Sequence, residues 1–341
     1  MTAARWRDGA PEGWDGLLAA DPSASPAHRP EVWEAFAAAL PGFAPRVAIV
    51  EEGGRVVGGA PVLVERRGGL HWLHALPWLL PGAPVALPGE HARVDAAVAE
   101  AFASLARELG AVGGEWALWR PDGPPVEDAA LALLGGETRT LAAAVVRLAG
   151  GLEAARGRVD RKHRQEMRRA RERGLVFAEE PAALESCYAL HAAQGARWRG
   201  HRALPLALSR RLLAGGGGRP VARLFTLRLA GDLVSGALAL DGEHETFVWW
   251  SGTHPAGRRL HAFPLLLWSI VEWAAAAGRA RVNLGASTGL GQVAAFKQSL
   301  GADEVRYPVL WLDARHAPAH ARAVAWAQAR LRRGRPRGEP A

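Results

Sequence analysis

The sequence predicts an α/β protein in which a mixed sheet is flanked by helices and the whole arrangement occurs twice in tandem. Three observations lead there. The chain has 341 residues, 49% of them hydrophobic and 22% charged, which is ample core for a folded protein and more chain than one core usually serves. Branched residues gather in paired short runs around glycine turns, the pattern of hairpins. Finally, hairpin, strand, helix and strand follow one another in the same order in both halves, as in an internal duplication.

Along the chain, residues 46–65, RVAIVEEGGRVVGGAPVLVE, form two strands around a Gly-Gly turn. The Pro-rich connector PWLLPGAPVALPG then leads to a helix over 93–109. There Val94, Val98, Ala101, Phe102, Leu105 and Leu109 recur at helical spacing, and Gly110 supplies the stop. EWALWR is the next strand. The order then returns: a hairpin over 221–240, the strand ETFVWWS, a helix over 260–277 stopping at Gly278, and the strand ARVNLG. Even VVGGA in the first hairpin is echoed by LVSGA in the second. The segment LAGG marks the boundary. The expected division is a first unit over 1–150, a second over 151–312, and a C-terminal helix with a basic tail over 313–341.

Composition narrows the function. No apolar run approaches the roughly 18 residues of a membrane span, and MTAARWRDGAPEGWDG lacks the apolar stretch of a signal peptide. A cytoplasmic location is expected. Cys187 is the single cysteine, so no internal disulfide or thiolate cluster forms, and LESCYALHAA reads as a helix that buries it. The pairs in HWLH and HAPAH come with no carboxylate pattern, and no metal is expected. The net charge of +8 is concentrated in two places. One is the seven cations of residues 160–173, opposed by Asp160, Glu166 and Glu172; the other is the tail from Arg330, with five arginines against Glu339. Elsewhere the charges balance, which argues against a broad nucleic-acid surface and against DNA as a partner.

The stretch VDRKHRQEMRRARERGL, residues 159–175, leaves three roles open: a phosphate clamp, a tRNA contact, or a solvated face with internal pairs such as Glu166 with Arg169. Val159, His163, Met167 and Ala170 give it a narrow buried stripe. Lys162 and Lys297 are the only lysines beside forty arginines, and Asn283 is the only asparagine. A lysine offers a compact charge that can lose its proton, whereas arginine presents a fixed fork. In GASTGLGQVAAFK, Gly285, Gly289 and Gly291 permit positive φ, so the segment is either an anion cradle with Ser287 and Thr288 as donors or a plain turn. Lys297, after Phe296, either holds a phosphate, stabilises an oxyanion, or faces solvent. Trp198, between Arg197 and Arg199, stacks on a sugar or base or lies in the core. Ser269 and Glu272 mark an exposed stripe of their helix. The tail helix, about 318–333, sets Val324, Ala327 and Leu331 on one stripe before RLRRGRPRG, either a peripheral contact with the inner membrane face or a disordered basic end.

The segments RKHRQEMRRARERG, ALHAAQGARWRG, GTHPAGRRLHAFPLLLWSIVEWAAAAG, NLGASTGLGQVAAFKQSLGA and VRY resemble, in order and spacing, the Fem-type peptidoglycan-bridge transferases and their acetyltransferase-like relatives in the GNAT superfamily. The resemblance covers residues 150–307 well and the first 150 by element order. It implies two tandem GNAT-like acyltransferase units that move an acyl, acetyl or aminoacyl group to an amine of a small molecule or a cell-envelope (peptidoglycan) precursor. It further implies that TFVWWS and RVNLG part to admit the donor, and that the intervening helix, with Pro264 near its start, turns its N-terminus to donor phosphates. The implied catalytic residues are Lys297 and Asn283. Arg161, Lys162, Arg164, Arg168, Trp198, Trp250, Ser251, Arg258, Arg259, Gly285, Ser287 and Phe296 are the implied substrate-binding residues. The co-substrate is acyl-CoA or aminoacyl-tRNA. RRLHAFP lacks the spaced glycines of CoA-dependent relatives, which leaves the donor open. Implied partners are a small-molecule or lipid-linked amine acceptor and charged tRNA. The competing class is a non-enzymatic nucleic-acid-binding protein that grips RNA or DNA through the basic helix and tail.

Overall fold

The computed structural model describes residues 3–78, 80–197, 203–215, 220–287, 291–315 and 317–334. In chain order, β1 (Arg5–Arg7), α1 (Trp14–Ala20) and α2 (Pro30–Ala39) come first. The hairpin β2 (Phe43–Glu52) and β3 (Arg55–Arg67) leads to β4 (Leu70–His74), β5 (Val85–Ala86), α3 (His91–Leu109), β6 (Gly114–Ala117) and α4 (Asp128–Leu134). Next are β7 (Glu137–Arg147), α5 (Gly151–Gly157), α6 (Arg161–Glu172), β8 (Leu175–Glu179), α7 (Leu184–Gly195) and α8 (Leu206–Ala214). A second hairpin, β9 (Ala222–Leu229) and β10 (Asp232–Asp241), is followed by β11 (Glu245–Thr253), α9 (Pro255–Arg259), α10 (Ala262–Ala276), β12 (Arg281–Ala286), α11 (Gly291–Ser299), β13 (Asp303–Leu312) and α12 (Ala319–Gly334).

These elements sort into two compact units, but not by a cut near residue 150. The first comprises Met1–Asp21, Gly42–Arg139 and Pro308–Ala341; the second comprises Pro22–Pro41 and Thr140–Tyr307. Hydrogen bonds and packing explain the exchange. Residues 22–41 are held inside the second unit because Arg281 donates to the carbonyls of Pro22 and Ala24, Arg29 donates to that of Asp241, and Phe36 stacks on Trp249. In the first unit, the end of β13 pairs with β6, from Val309↔Ala117 to Leu312↔Gly114.

In the first unit, β1 to β4 form an antiparallel sheet with β5 on β3. Against it lies α3, whose Val94, Val98, Phe102 and Leu105 share a core with Ala48, Val50, Val62 and Leu73. Each such side chain contributes about 1.5–3 kcal/mol on burial. The echo between VVGGA and LVSGA has a steric meaning. A Cβ at Gly58 would collide with Val94 of α3, and one at Gly236 would collide with Cys187 of α7. Both hairpins therefore carry glycine where a helix comes close.

The second unit has the strand order β7-β12-β11-β10-β9-β8. Alternate residues of β10 face opposite ways: Ala237 joins the core made by α6 and α10, with Met167, Ala170, Leu266 and Ile270, while Gly236 lies under α7. The β11–β12 contact begins with an ion pair sealed from water. Arg281 Nε donates to Glu245 Oε2 at 2.6 Å, and the two side chains are 1% and 0% exposed. Removing one member of such a pair strands the other charge. Arg281→Met is expected to destabilise the protein by about 3–5 kcal/mol, read as a lower urea midpoint at unchanged slope; an unchanged midpoint would show that the pair contributes nothing.

Candidate active site

The parallel ladder between β11 and β12 is three pairs long, Glu245↔Arg281, Thr246↔Val282 and Phe247↔Asn283. Beyond Phe247 the strands part. β11 continues beside β10 to Thr253, and β12 continues beside β7 to Ala286. Leu238 opposes Trp250 while Ala239 opposes Val248, so Trp249 is the extra residue of a bulge two positions past the last pair. A bulge takes one residue out of the ladder and re-aims its backbone groups. In the first unit the matching place is bridged. There the amides of Leu73 and Ala75 donate to the carbonyls of Gly113 and Glu115, and that of Gly82 donates to Ala117. The parted pair belongs to the second unit.

Asn283 stands where the strands separate. Its Nδ2 donates to Glu245 Oε1 at 3.2 Å, and its Oδ1 accepts the Gly285 amide at 2.8 Å. Both ends of the side chain are therefore engaged within the protein. Gly285, at φ +77°, makes the turn that carries its carbonyl and that of Ala286 toward α11. Lys297 Nζ donates to these two oxygens at 2.8 and 3.0 Å. It is buried, which settles the choice against a solvent-facing lysine. Burial lowers its ammonium from 10.5 to about 8. Since the folded protein releases this proton earlier than the unfolded chain, stability rises with pH between about 8 and 10.5. Below that window the lysine is cationic in both states. Two carbonyls then occupy two of its three N–H groups.

Phe296 fixes α11 in place, stacked on Phe263 at 5.5 Å and set edge-on to His163 at 5.6 Å. Beside these rings, Glu166 of α6 accepts from His163 Nδ1 at 2.7 Å and lies 3.6 Å from Nδ1 of His261, the residue that caps α10 in a left-handed conformation. A carboxylate thus stands at the helix start to which the resemblance assigned donor phosphates. Next to it, Gln194, Arg197, Thr253, Arg258 and Phe263 line a cavity of about 350 Å³. Two guanidinium groups and an amide give this cavity the chemistry of an anion site.

The remaining expectations divide. Arg258 lines the cavity, Arg259 is exposed beside it, and Ser287 is half-buried just past β12. The Ser251 carbonyl accepts from His191 Nδ1 at 3.0 Å. Trp250 is corrected from a ligand contact to a core residue, because it is buried against His191 and its indole donates to Ser209. Arg164 is likewise corrected, because its guanidinium caps the carbonyls of Gly157 and Val159. Glu166 pairs with His163 instead of Arg169, while Arg168 lies 3.5 Å from Glu172. Arg161 and Lys162 are exposed at the start of α6. Ser269 is buried, and Glu272 pairs with Arg171. Trp198, Arg199, Thr288 and Gly289 lie outside the described residues. Among the described residues no group of His, Cys, Asp or Glu is arranged to hold a metal. The Glu245–Arg281 pair and Gln194 had not been singled out; the sequence signal for the pair was that each charge opens its strand, in ETFVWWS and RVNLG.

Residues 157–298 match the family model described as an acetyltransferase (GNAT) domain, a stretch that contains the gap and Lys297. No curated protein matches the chain. Among solved structures, FemX is similar in fold with a TM-score of 0.70 at 12% identity, over 89% of this chain and 96% of that one. A tandem GNAT protein from the clavulanic acid biosynthesis pathway has a TM-score of 0.52 at 16% identity, over 90% and 94% of the two chains. A conserved protein of unknown function from Bacteroides thetaiotaomicron has a TM-score of 0.54 at 10% identity, over 90% and 99%. Lys297→Ala is expected to abolish acyl transfer while the melting temperature is kept within a few degrees of wild type; full turnover in that variant would remove Lys297 from the site.

Proposed function

We propose that the chain is an acyltransferase of the GNAT superfamily with a tandem, Fem-like fold, and that it passes an aminoacyl group from a charged tRNA to an amine of a lipid-linked cell-envelope precursor in the cytoplasm. The observation that carries the transfer chemistry is the parted β11–β12 pair with Lys297 Nζ at its end. A donor ester lies in the gap, the neutral acceptor amine attacks its carbonyl carbon, and the oxygen gains charge. Backbone N–H groups and the third Nζ proton stabilise that charge without having to reorient. Collapse expels the donor alkoxide, which takes up a proton, and the attacking nitrogen loses one.

Glu166 supports a tRNA donor over acyl-CoA. Its carboxylate beside His261 places negative charge where a CoA pyrophosphate would need positive potential. Pro264, in the same turn of α10, has no amide proton to offer. The arginines of the neighbouring cavity, Arg197 and Arg258, together with the exposed Arg161 and Lys162, suit a longer polyanion.

Two measurements test the reading. With amine acceptors of the precursor type, radiolabel is expected to move from aminoacyl-tRNA and not from acetyl-CoA; turnover with acetyl-CoA alone would overturn the donor assignment, and turnover with neither would overturn the transferase role for these acceptors. The pH profile tests Lys297. Its cation is lost as pH rises through about 8, so kcat/KM is expected to rise as the acceptor amine deprotonates and then fall near that pH. In the activity that Lys297→Arg retains, the descending limb is expected to move to higher pH, since arginine keeps its charge. A limb that stays in place would show that another group titrates there.

A further inference from the structure

The ammonium of Lys297 donates to the carbonyls of Gly285 and Ala286, so its place depends on whatever fixes those two oxygens. Behind them runs a chain of buried bonds. Gly285, at φ +77°, donates its amide to Asn283 Oδ1 at 2.8 Å. Asn283 Nδ2 donates to Glu245 Oε1 at 3.2 Å, and Glu245 Oε2 accepts from Arg281 Nε at 2.6 Å. Glu245 and Asn283 are 0% and 2% exposed, so water does not replace either partner.

These bonds have a polarity. A carboxylate only accepts, whereas a carboxamide accepts at one end and donates at the other. Glu245 therefore draws the Nδ2 end of Asn283 to itself and leaves Oδ1 for Gly285. With the carboxamide reversed, Nδ2 would meet the Gly285 amide donor to donor, and the turn would lose this anchor.

We propose that Glu245 is a positioning residue for Lys297: through Asn283 it fixes the turn at Gly285, and thereby the two carbonyls that keep Nζ at the parted strands. Glu245 and Asn283 act through this turn and not on the reacting atoms. The consequence for rate rests on the transfer reaction proposed above, whereas the consequence for Lys297 is measured without turnover.

The chain contains only two lysines, and the Lys162 side chain is 80% exposed. Lysine labelled with an NMR-active nitrogen at Nζ therefore reports on Lys297 with little ambiguity. Spectra of the full chain are recorded well below its titration at about 8, where the ammonium is charged. In wild type the Lys297 ammonium is expected to exchange slowly with water, and that of Lys162 too fast to be seen. Glu245→Gln keeps the size of the side chain but sets a donor against Asn283 Nδ2. This variant, and Asn283→Ala separately, is expected to lose the slow signal and to lower kcat/KM about a hundredfold, the cost of a displaced catalytic group.

Combining Glu245→Gln with Asn283→Asp reverses the polarity of the bond: the new carboxamide donates to the new carboxylate, whose other oxygen still accepts from Gly285. The slow signal and most of the rate are expected to return, a rescue that a loss of packing alone would not give. The proposal is overturned if wild type lacks the slow signal, if Glu245→Gln leaves it unchanged, or if the folded double variant fails to regain it. Should a single variant fail to fold, the double variant decides. A wild type that shows the slow signal but no turnover would count against the transfer reaction and not against this relay.

Discussion

The second unit depends on a contradiction resolved at one point: β11 and β12 must be held firmly together and yet must separate. The buried charges of Arg281 and Glu245 resolve it. Glu245 spends one carboxylate oxygen on Arg281 and the other on Asn283, so the same group fastens the first rung of the ladder and the last. Asn283 then takes the Gly285 amide, which turns β12 away and presents two carbonyls to Lys297. The links made by Glu245 and by Lys297 are charge-assisted hydrogen bonds, the kind that is costly to leave unmade. The network therefore ends where the strands part, and it holds Lys297 there by two carbonyls.

Much of this was legible in the residues and some was not. The hairpins, α3 with its Gly110 stop, and the duplicated order followed from spacing and turn chemistry, because those signals act over a few neighbours. The two lysines drew notice against forty arginines, and Lys297 does lie at the parted strands. Trp250 was misread because a strand tryptophan looks the same from sequence whether its face meets ligand or α7. The partners of Asn283 were hidden, because nothing local reveals that Glu245 and Gly285, 38 positions before it and two after it, use its amide. Arg164 was misread for the opposite reason: its partners are the carbonyls a few residues back, and a basic run conceals such local capping.

The two copies of the fold have diverged by chemistry more than by architecture. In the first unit the residues after β4 turn back onto β6, with the Gly82 amide donating to Ala117, so the strand gap is closed by the chain itself. In the second the gap is left open and a lysine is placed at its end. A duplicated fold can thus close the strand gap in one copy and leave it open in the other, and the difference lies in a few backbone hydrogen bonds.

The exchange of segments between units bears on how the chain is made. Residues 22–41 belong to the second unit, and β6 of the first unit takes its partner from residues 309–312 of β13. Domains usually fold as they emerge, the N-terminal one first. Here each unit draws on segments far apart in the sequence, so α2 must keep its buried face shielded until residues 140–307 have been made. Translation pauses, temperature and chaperone supply should therefore govern the yield of this protein more strongly than they would govern two beads on a string.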